Sequence, residues 1–142
     1  MSFTGEFRHT MDAKGRLIVP SRMRDEFIGD IVVLTKWLDQ CVAMWSQEGW
    51  TELERMLRAL PQSDARARTI VRVVAGSASP DEIDRQGRIN VPLPLREYAG
   101  VDRDVVLVGL FNRAEIWNPE RLAEQQAHGE QRMEELVEGL NF

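Results

Sequence analysis

Two stretches hold the residues of this chain best placed to do chemistry: DAKGRLIVP at 12–20 and DRQGRINVP at 84–92. At an offset of 72 they share Asp12/Asp84, Gly15/Gly87, Arg16/Arg88, Val19/Val91 and Pro20/Pro92, and the match runs on to Arg24/Arg96. Paired carboxylates can serve as general acid and base, but each Asp stands where an Asp-x-x-Gly turn wants a local hydrogen-bond acceptor. Gly supplies the positive φ of that turn, and Pro stops the strand that follows. Asp12, Gly15, Asp84 and Gly87 therefore have structural work. A strand can begin without an arginine, so Arg16 and Arg88 are left over. Two uses stay open for them. One is a surface ion pair with Asp12 or Asp84. The other is a hairpin tip aiming a planar, bidentate guanidinium at phosphate oxygens or a guanine edge, and a two-stranded ribbon fits the DNA major groove.

Other chemistry finds little support. His9, His128 and Cys41 are scattered without metal-ligand spacing, and Cys41 sits in an apolar strand where a core role is the ordinary one. No glycine-rich phosphate-binding loop is present. The tryptophans Trp45 and Trp117 end matching strands and Trp50 lies on a helical stripe, which points to core packing rather than base stacking. The reading is of a protein that is not an enzyme and needs no cofactor or metal.

The elements that position the motifs repeat with them. Extended stretches at 6–11 and 79–83 lead into the two turns, and the β-branched residues after each Arg predict short strands. Short helices follow, closed by Gly29 and Gly100. VVL at 32–34 meets VVL at 105–107 with a one-residue slip, and Trp45 meets Trp117 on the original offset. Further strands are expected at 31–35 and 42–45, turning at Asp39-Gln40, and at 105–109 and 114–117, turning at Asn112-Arg113. Each unit reads β–turn–β–short α–β–turn–β, too small to bury a core alone. Two copies packed about a pseudo-two-fold axis solve that problem. Trp50, Leu53, Leu57 and Leu60 form one stripe of a helix closed by Pro61. The segment 64–75 is β-branched like a strand but carries helical spacing, and helix is the expectation. Met133, Leu136, Val137 and Leu140 form a C-terminal amphipathic stripe, with Gly129 weakening the helix before it. The divisions are a first repeat with helix (1–60), a helical connector (61–77), a second repeat (78–124) and a C-terminal amphipathic helix (125–142).

At 142 residues, 43% hydrophobic and 29% charged, the chain has the composition of a small globular protein. One cysteine allows no intrachain disulfide and favours a reducing compartment. Neither a signal peptide nor a membrane span is legible, so a soluble, cytoplasmic protein is expected. The net charge of −5 argues against an indiscriminate nucleic-acid coat, yet residues 1–114 are balanced at 16 basic and 16 acidic. The deficit comes from 115–142, with 2 basic and 7 acidic. From Glu6 to Asp25 five basic residues face three acidic; from Asp81 to Glu97 three face four. A further cluster, Arg55, Arg58, Arg66, Arg68 and Arg72, surrounds Pro61. It reads as a solvated helix face, a second DNA surface, or an intersubunit surface for the acidic C-terminal helix of a neighbour.

The doubled motif, together with VVLVGLFNRAEIW at 105–117, resembles the MraZ family of bacterial transcriptional regulators, within the wider AbrB-like group of swapped-hairpin DNA-binding proteins. The likeness covers almost the whole chain and fades after about residue 124. It implies an α+β fold, β-rich, of duplicated AbrB-like swapped-hairpin units in one pseudo-two-fold body with flanking helices. It implies a ring-like homo-oligomer that binds double-stranded DNA at short direct repeats in the promoter of the division and cell-wall gene cluster, in the cytoplasm at the nucleoid. The family's Asp-x-x-x-Arg motif falls on Asp12/Arg16 and Asp84/Arg88. Arg16, Lys14, Arg88, Arg85 and Arg8 are the expected DNA contacts. Gln86 replaces Lys14 in the second motif, and Asn90, which shares the outward parity of Ile18, stands where the family usually has Ile or Leu; the charge balance of the two stretches, five basic to three acidic against three to four, makes the first hairpin the expected dominant contact. The rival expectation is an oligomeric protein-interaction scaffold or antitoxin-like module on the same fold.

Overall fold

The computed structural model describes residues 2–141. Strands β1 (Glu6–Thr10), β2 (Arg16–Ile18), β3 (Ile31–Trp37), β4 (Cys41–Trp45), β5 (Ser79–Glu82), β6 (Arg88–Asn90), β7 (Asp104–Gly109) and β8 (Arg113–Trp117) alternate with helices α1 (Ser21–Arg24), α2 (Gln47–Arg58), α3 (Ala65–Ser77), α4 (Leu93–Ala99), α5 (Pro119–Gln131) and α6 (Met133–Leu140). The fold is mixed α+β. Six strands form one antiparallel sheet in the order β1-β7-β8-β4-β3-β5, and β2 pairs with β6 in a separate two-stranded ribbon.

Strand pairing crosses between the two halves of the chain. β1 pairs with β7 and β5 with β3. In the ribbon Arg16 lies opposite Asn90, Leu17 opposite Ile89 and Ile18 opposite Arg88. Central β4 and β8 join the halves, with Val42 opposite Ile116 and Met44 opposite Ala114.

Alternation along the strands sorts side chains into two layers. One face of the sheet packs against the ribbon and the short helices in the main core, where Leu17, Val19, Met23, Leu34, Met44, Ile89, Val91, Leu95 and Ile116 are all but fully buried. The opposite face carries Val33, Ala43 and Trp45 under Leu53 of α2 and Val74 of α3, and Cys41, Val106 and Trp117 under Leu122 of α5. β4 is consequently buried along its whole length, as a central strand covered on both sides must be.

Local chemistry sets the helix ends. Ser46, Asp64 and Asn118 cap α2, α3 and α5 by accepting backbone N–H groups. The segment 64–75 is helical, because burying Ala67 and Val74 on one face outweighs its β-branched run. Three expected boundaries shift. α1 is a single turn that stops at Arg24; Gly29, at φ +74, turns a later bend at Ile28–Asp30 instead of closing the helix. α2 begins at Gln47 and ends before Leu60 and Pro61. Gly129 lies inside α5, whose break from α6 comes at Arg132. No helix among the described residues is long and apolar enough to cross a membrane.

Candidate nucleic-acid interface

Asp12 builds the first turn. Its Oδ1 accepts the backbone N–H groups of Lys14 and Arg16, both at 2.9 Å, and its Oδ2 accepts Arg16 Nε at 2.6 Å. The Gly15 N–H closes the turn onto the Asp12 carbonyl at 3.0 Å, with Gly15 at φ +84. The second turn copies the first. Asp84 Oδ1 accepts from the amides of Gln86 and Arg88 at 2.9 Å, Oδ2 accepts Arg88 Nε at 3.1 Å, and Gly87 sits at φ +80. The ion pair is therefore made in both turns. The ion pair engages Nε, and the terminal nitrogens of Arg16 carry no hydrogen bond among the described residues, so the guanidinium is oriented and still able to donate. Arg88 is more committed, because its Nη2 also donates to Gln86 Oε1 at 2.8 Å.

The backbone N–H of Arg16 is the largest influence holding the Asp12 carboxyl below its ordinary value, opposed by desolvation and aided by the Arg16 side chain and the Lys14 amide. A depressed carboxylate contributes stability above its unfolded-state value, and that contribution is lost as pH falls through the lower folded-state value. The turn therefore stays charged and closed at neutral pH. In an NMR titration of Arg16→Ala, Asp12 should still titrate below an ordinary aspartate, because the amides at 14 and 16 remain. A return to the ordinary value would assign the shift to the guanidinium instead.

Each turn is also held from the other half of the chain. The Val19 N–H donates to the Gly87 carbonyl and the Val91 N–H to the Gly15 carbonyl, both at 2.8 Å. A Cβ on Gly15 would stand 2.7 Å from Arg96 Nε, and one on Gly87 3.0 Å from an Arg24 terminal nitrogen. Arg24 and Arg96, a matched pair of the repeat, thus lie across the opposite turn. Arg96 is fixed there by donating from Nε to the Val91 carbonyl at 2.9 Å.

With Leu17 and Ile89 turned into the core, the outward face of the ribbon presents Arg16, Ile18, Arg88 and Asn90. Ile18 is 50% exposed between the two arginines. Lys14 and Arg85 are exposed on the two turns, at the ends of this face. Arg16 and Arg88 line one open groove with Arg103, whose carbonyl accepts the Met11 N–H at 2.7 Å. Arg8 is set apart on edge strand β1, in a neighbouring groove also lined by Arg103. Arg103 escaped the sequence reading because Asp102 and Asp104 flank it and the repeat gives it no counterpart.

The remaining reactive side chains are structural. Burial, with the Glu115 carboxylate adding, pushes the Cys41 thiol well above its ordinary value, so it is no nucleophile. Glu115 is itself buried, accepting from Trp117 Nε1 at 2.9 Å and Arg113 Nε at 3.1 Å, while Arg113 lies over the Trp37 and Trp45 rings. No group of His, Cys, Asp and Glu among the described residues is arranged to hold a metal ion.

A family profile described as "MraZ protein, putative antitoxin-like" matches residues 2–73 and 75–138. The chain belongs to the MraZ family. Among its MraZ relatives are proteins named transcriptional regulator MraZ from Moorella thermoacetica, 46% identical, from Desulforamulus reducens, 45% identical, and from Syntrophomonas wolfei, 42% identical. Each alignment covers 97% of this chain and 96% of the relative. The MraZ match therefore takes in both turns, the ribbon and the helices on the far side of the sheet.

Proposed function

We propose that the chain is a transcriptional regulator that binds double-stranded DNA through the outward face of the β2–β6 ribbon. It would act as a multivalent homo-oligomer at short direct repeats in the promoter of the division and cell-wall gene cluster, in the cytoplasm at the nucleoid. The observation that carries the reading is the geometry at Arg16: a half-exposed guanidinium anchored through Nε on the ribbon, with its terminal nitrogens making no hydrogen bond among the described residues. Such a fork suits phosphate or a guanine edge, and a two-stranded ribbon suits the major groove. Lys14 holds the DNA backbone, Arg88 and Arg85 contribute less, and Arg8 is an outlying contact. Asp12, Gly15, Asp84 and Gly87 shape the turns. The names of the relatives support transcriptional regulation without catalysis.

The architecture under this reading is a pair of AbrB-like swapped-hairpin halves, 1–60 and 78–124, joined by the helical connector 61–77 and followed by 125–142. Residues 72 apart exchange places across the ribbon, and β1 and β5 each pair with a strand of the other half, which supports that description. Asn90 stands where its partner half has Ile18, so the outward face is not two-fold symmetric. A face of that kind suits a direct repeat better than a palindrome.

A hairpin with two or three cations binds weakly by itself, and several on one assembly raise the effective concentration of each later contact. Gel-shift titrations against one repeat and against the tandem promoter should show at least tenfold tighter binding to the tandem site, weakening steeply with salt. Equal affinity for both would remove the multivalent reading. Absence of any specific shift would favour the antitoxin-like or scaffold alternative.

A further inference from the structure

Helix α6 buries none of its own side chains and carries Met133, Leu136, Val137 and Leu140 at i, i+3, i+4 and i+7. Met133 is 63% and Leu140 72% exposed, and α6 packs against α5. On the far side of the sheet a groove runs between α2 and α3. Trp50, Leu57 and Leu60 line one wall, and Ala67, Val71 and Ala75 the other. Two alanines flanking a valine at four-residue spacing let a third helix approach closely.

Charge says what fits there. Along the rim, Arg55, Arg58 and Arg66 are already paired with Glu52, Glu54 and Asp64. Arg68 and Arg72 pair with no carboxylate among the described residues, and they stand four residues apart on one flank of the Ala67–Val71–Ala75 stripe. On α6, Glu135 pairs with Arg132. Glu134 and Glu138 are also four residues apart, on one flank of the apolar stripe, and neither pairs with a cation among the described residues. The two surfaces therefore match in apolar spacing and in the spacing of opposite charge.

We propose that α6 of one copy docks in the α2–α3 groove of a second copy, with Glu134 and Glu138 facing Arg68 and Arg72. Groove and helix are different surfaces of the same chain, so the contact is head-to-tail, and repeating it closes a ring when the rotation closes. The proposal rests on the oligomeric reading above and names the surfaces that build the oligomer. A membrane is a poor occupant for α6, which has three glutamates and no basic residue between 133 and 140.

The test uses two charge-reversed full-length proteins, Arg68→Glu/Arg72→Glu and Glu134→Arg/Glu138→Arg, with masses measured by light scattering or native mass spectrometry. Each alone should fall from the wild-type mass toward the 16.3 kDa chain. Mixed in equal amounts they should recover an assembly, because each now meets an opposite charge on the other. Leu136→Asp should also dissociate the wild-type assembly, and circular dichroism confirms that the exposed substitutions leave the fold intact. Variants that keep the full wild-type mass would overturn the docking while leaving the oligomeric reading standing. Variants that dissociate and do not recover on mixing would overturn the pairing of these two surfaces. A wild-type protein that is a single chain at micromolar concentration would overturn the oligomeric reading itself.

Discussion

Arg16→Ala should lower affinity for a tandem-repeat promoter fragment by at least about tenfold, the loss expected when one bidentate guanidinium contact worth ~1–3 kcal/mol disappears. Because every subunit of an assembly loses the same contact, the loss compounds with the number of engaged hairpins. Arg16→Lys should fall between wild type and alanine, since it keeps the charge and gives up the planar fork. Arg88→Ala should cost less. Arg88 already spends a terminal nitrogen on Gln86, is less exposed than Arg16, and belongs to a stretch of sequence that also carries Asp81, Glu82 and Glu97. Fluorescence anisotropy at one fixed salt concentration, with oligomeric mass checked in parallel, separates these effects from loss of assembly. Wild-type binding by Arg16→Ala would end the ribbon reading, and an equal or larger effect at Arg88 would reverse the ranking of the hairpins.

Much of this geometry was legible because its causes are local. Asp-x-x-Gly followed by β-branched residues fixes a turn and a strand from within nine residues, and both turns form through Asp12 and Asp84 as their spacing requires. The mixed α+β class is likewise legible, because short β-branched runs alternate with helical stripes. What stayed hidden depends on distant partners. Nothing near Glu115 foretells burial; it becomes tolerable only because Arg113 and Trp117 on the same strand reach its two oxygens. Arg103 is masked by neighbouring acids and enters the groove only because β1 and β7 pair. Gly29 lies where a helix stop is expected, but α1 had already ended, its single turn fixed by Met23 entering the core. The reach of Arg24 and Arg96 across to the opposite turns needs the ribbon pairing, which no single motif encodes.

That crossing makes the two glycines unequal. Both adopt positive φ, so alanine at either meets left-handed strain of about 1–3 kcal/mol. At Gly87 the new methyl meets the end of the Arg24 side chain at 3.0 Å, which can swing away. At Gly15 it would lie 2.6 Å from the Val91 carbonyl oxygen and 2.7 Å from Arg96 Nε, itself bonded to that carbonyl. Backbone of the paired strand cannot yield without lengthening the Val91–Gly15 hydrogen bond, so overpacking adds roughly another 1–3 kcal/mol. Gly15→Ala should therefore unfold at a clearly lower urea midpoint than Gly87→Ala. It should also bind DNA more weakly than its remaining folded fraction accounts for, because the turn that orients Arg16 has moved. Arg96→Ala in the Gly15→Ala background should recover part of the stability by removing one of the two obstructions. The same change in the Gly87→Ala background should recover nothing, since there the obstructing side chain is Arg24. Equal midpoints for the two glycine variants would show that the halves hold their own turns and that the arginines do not couple them.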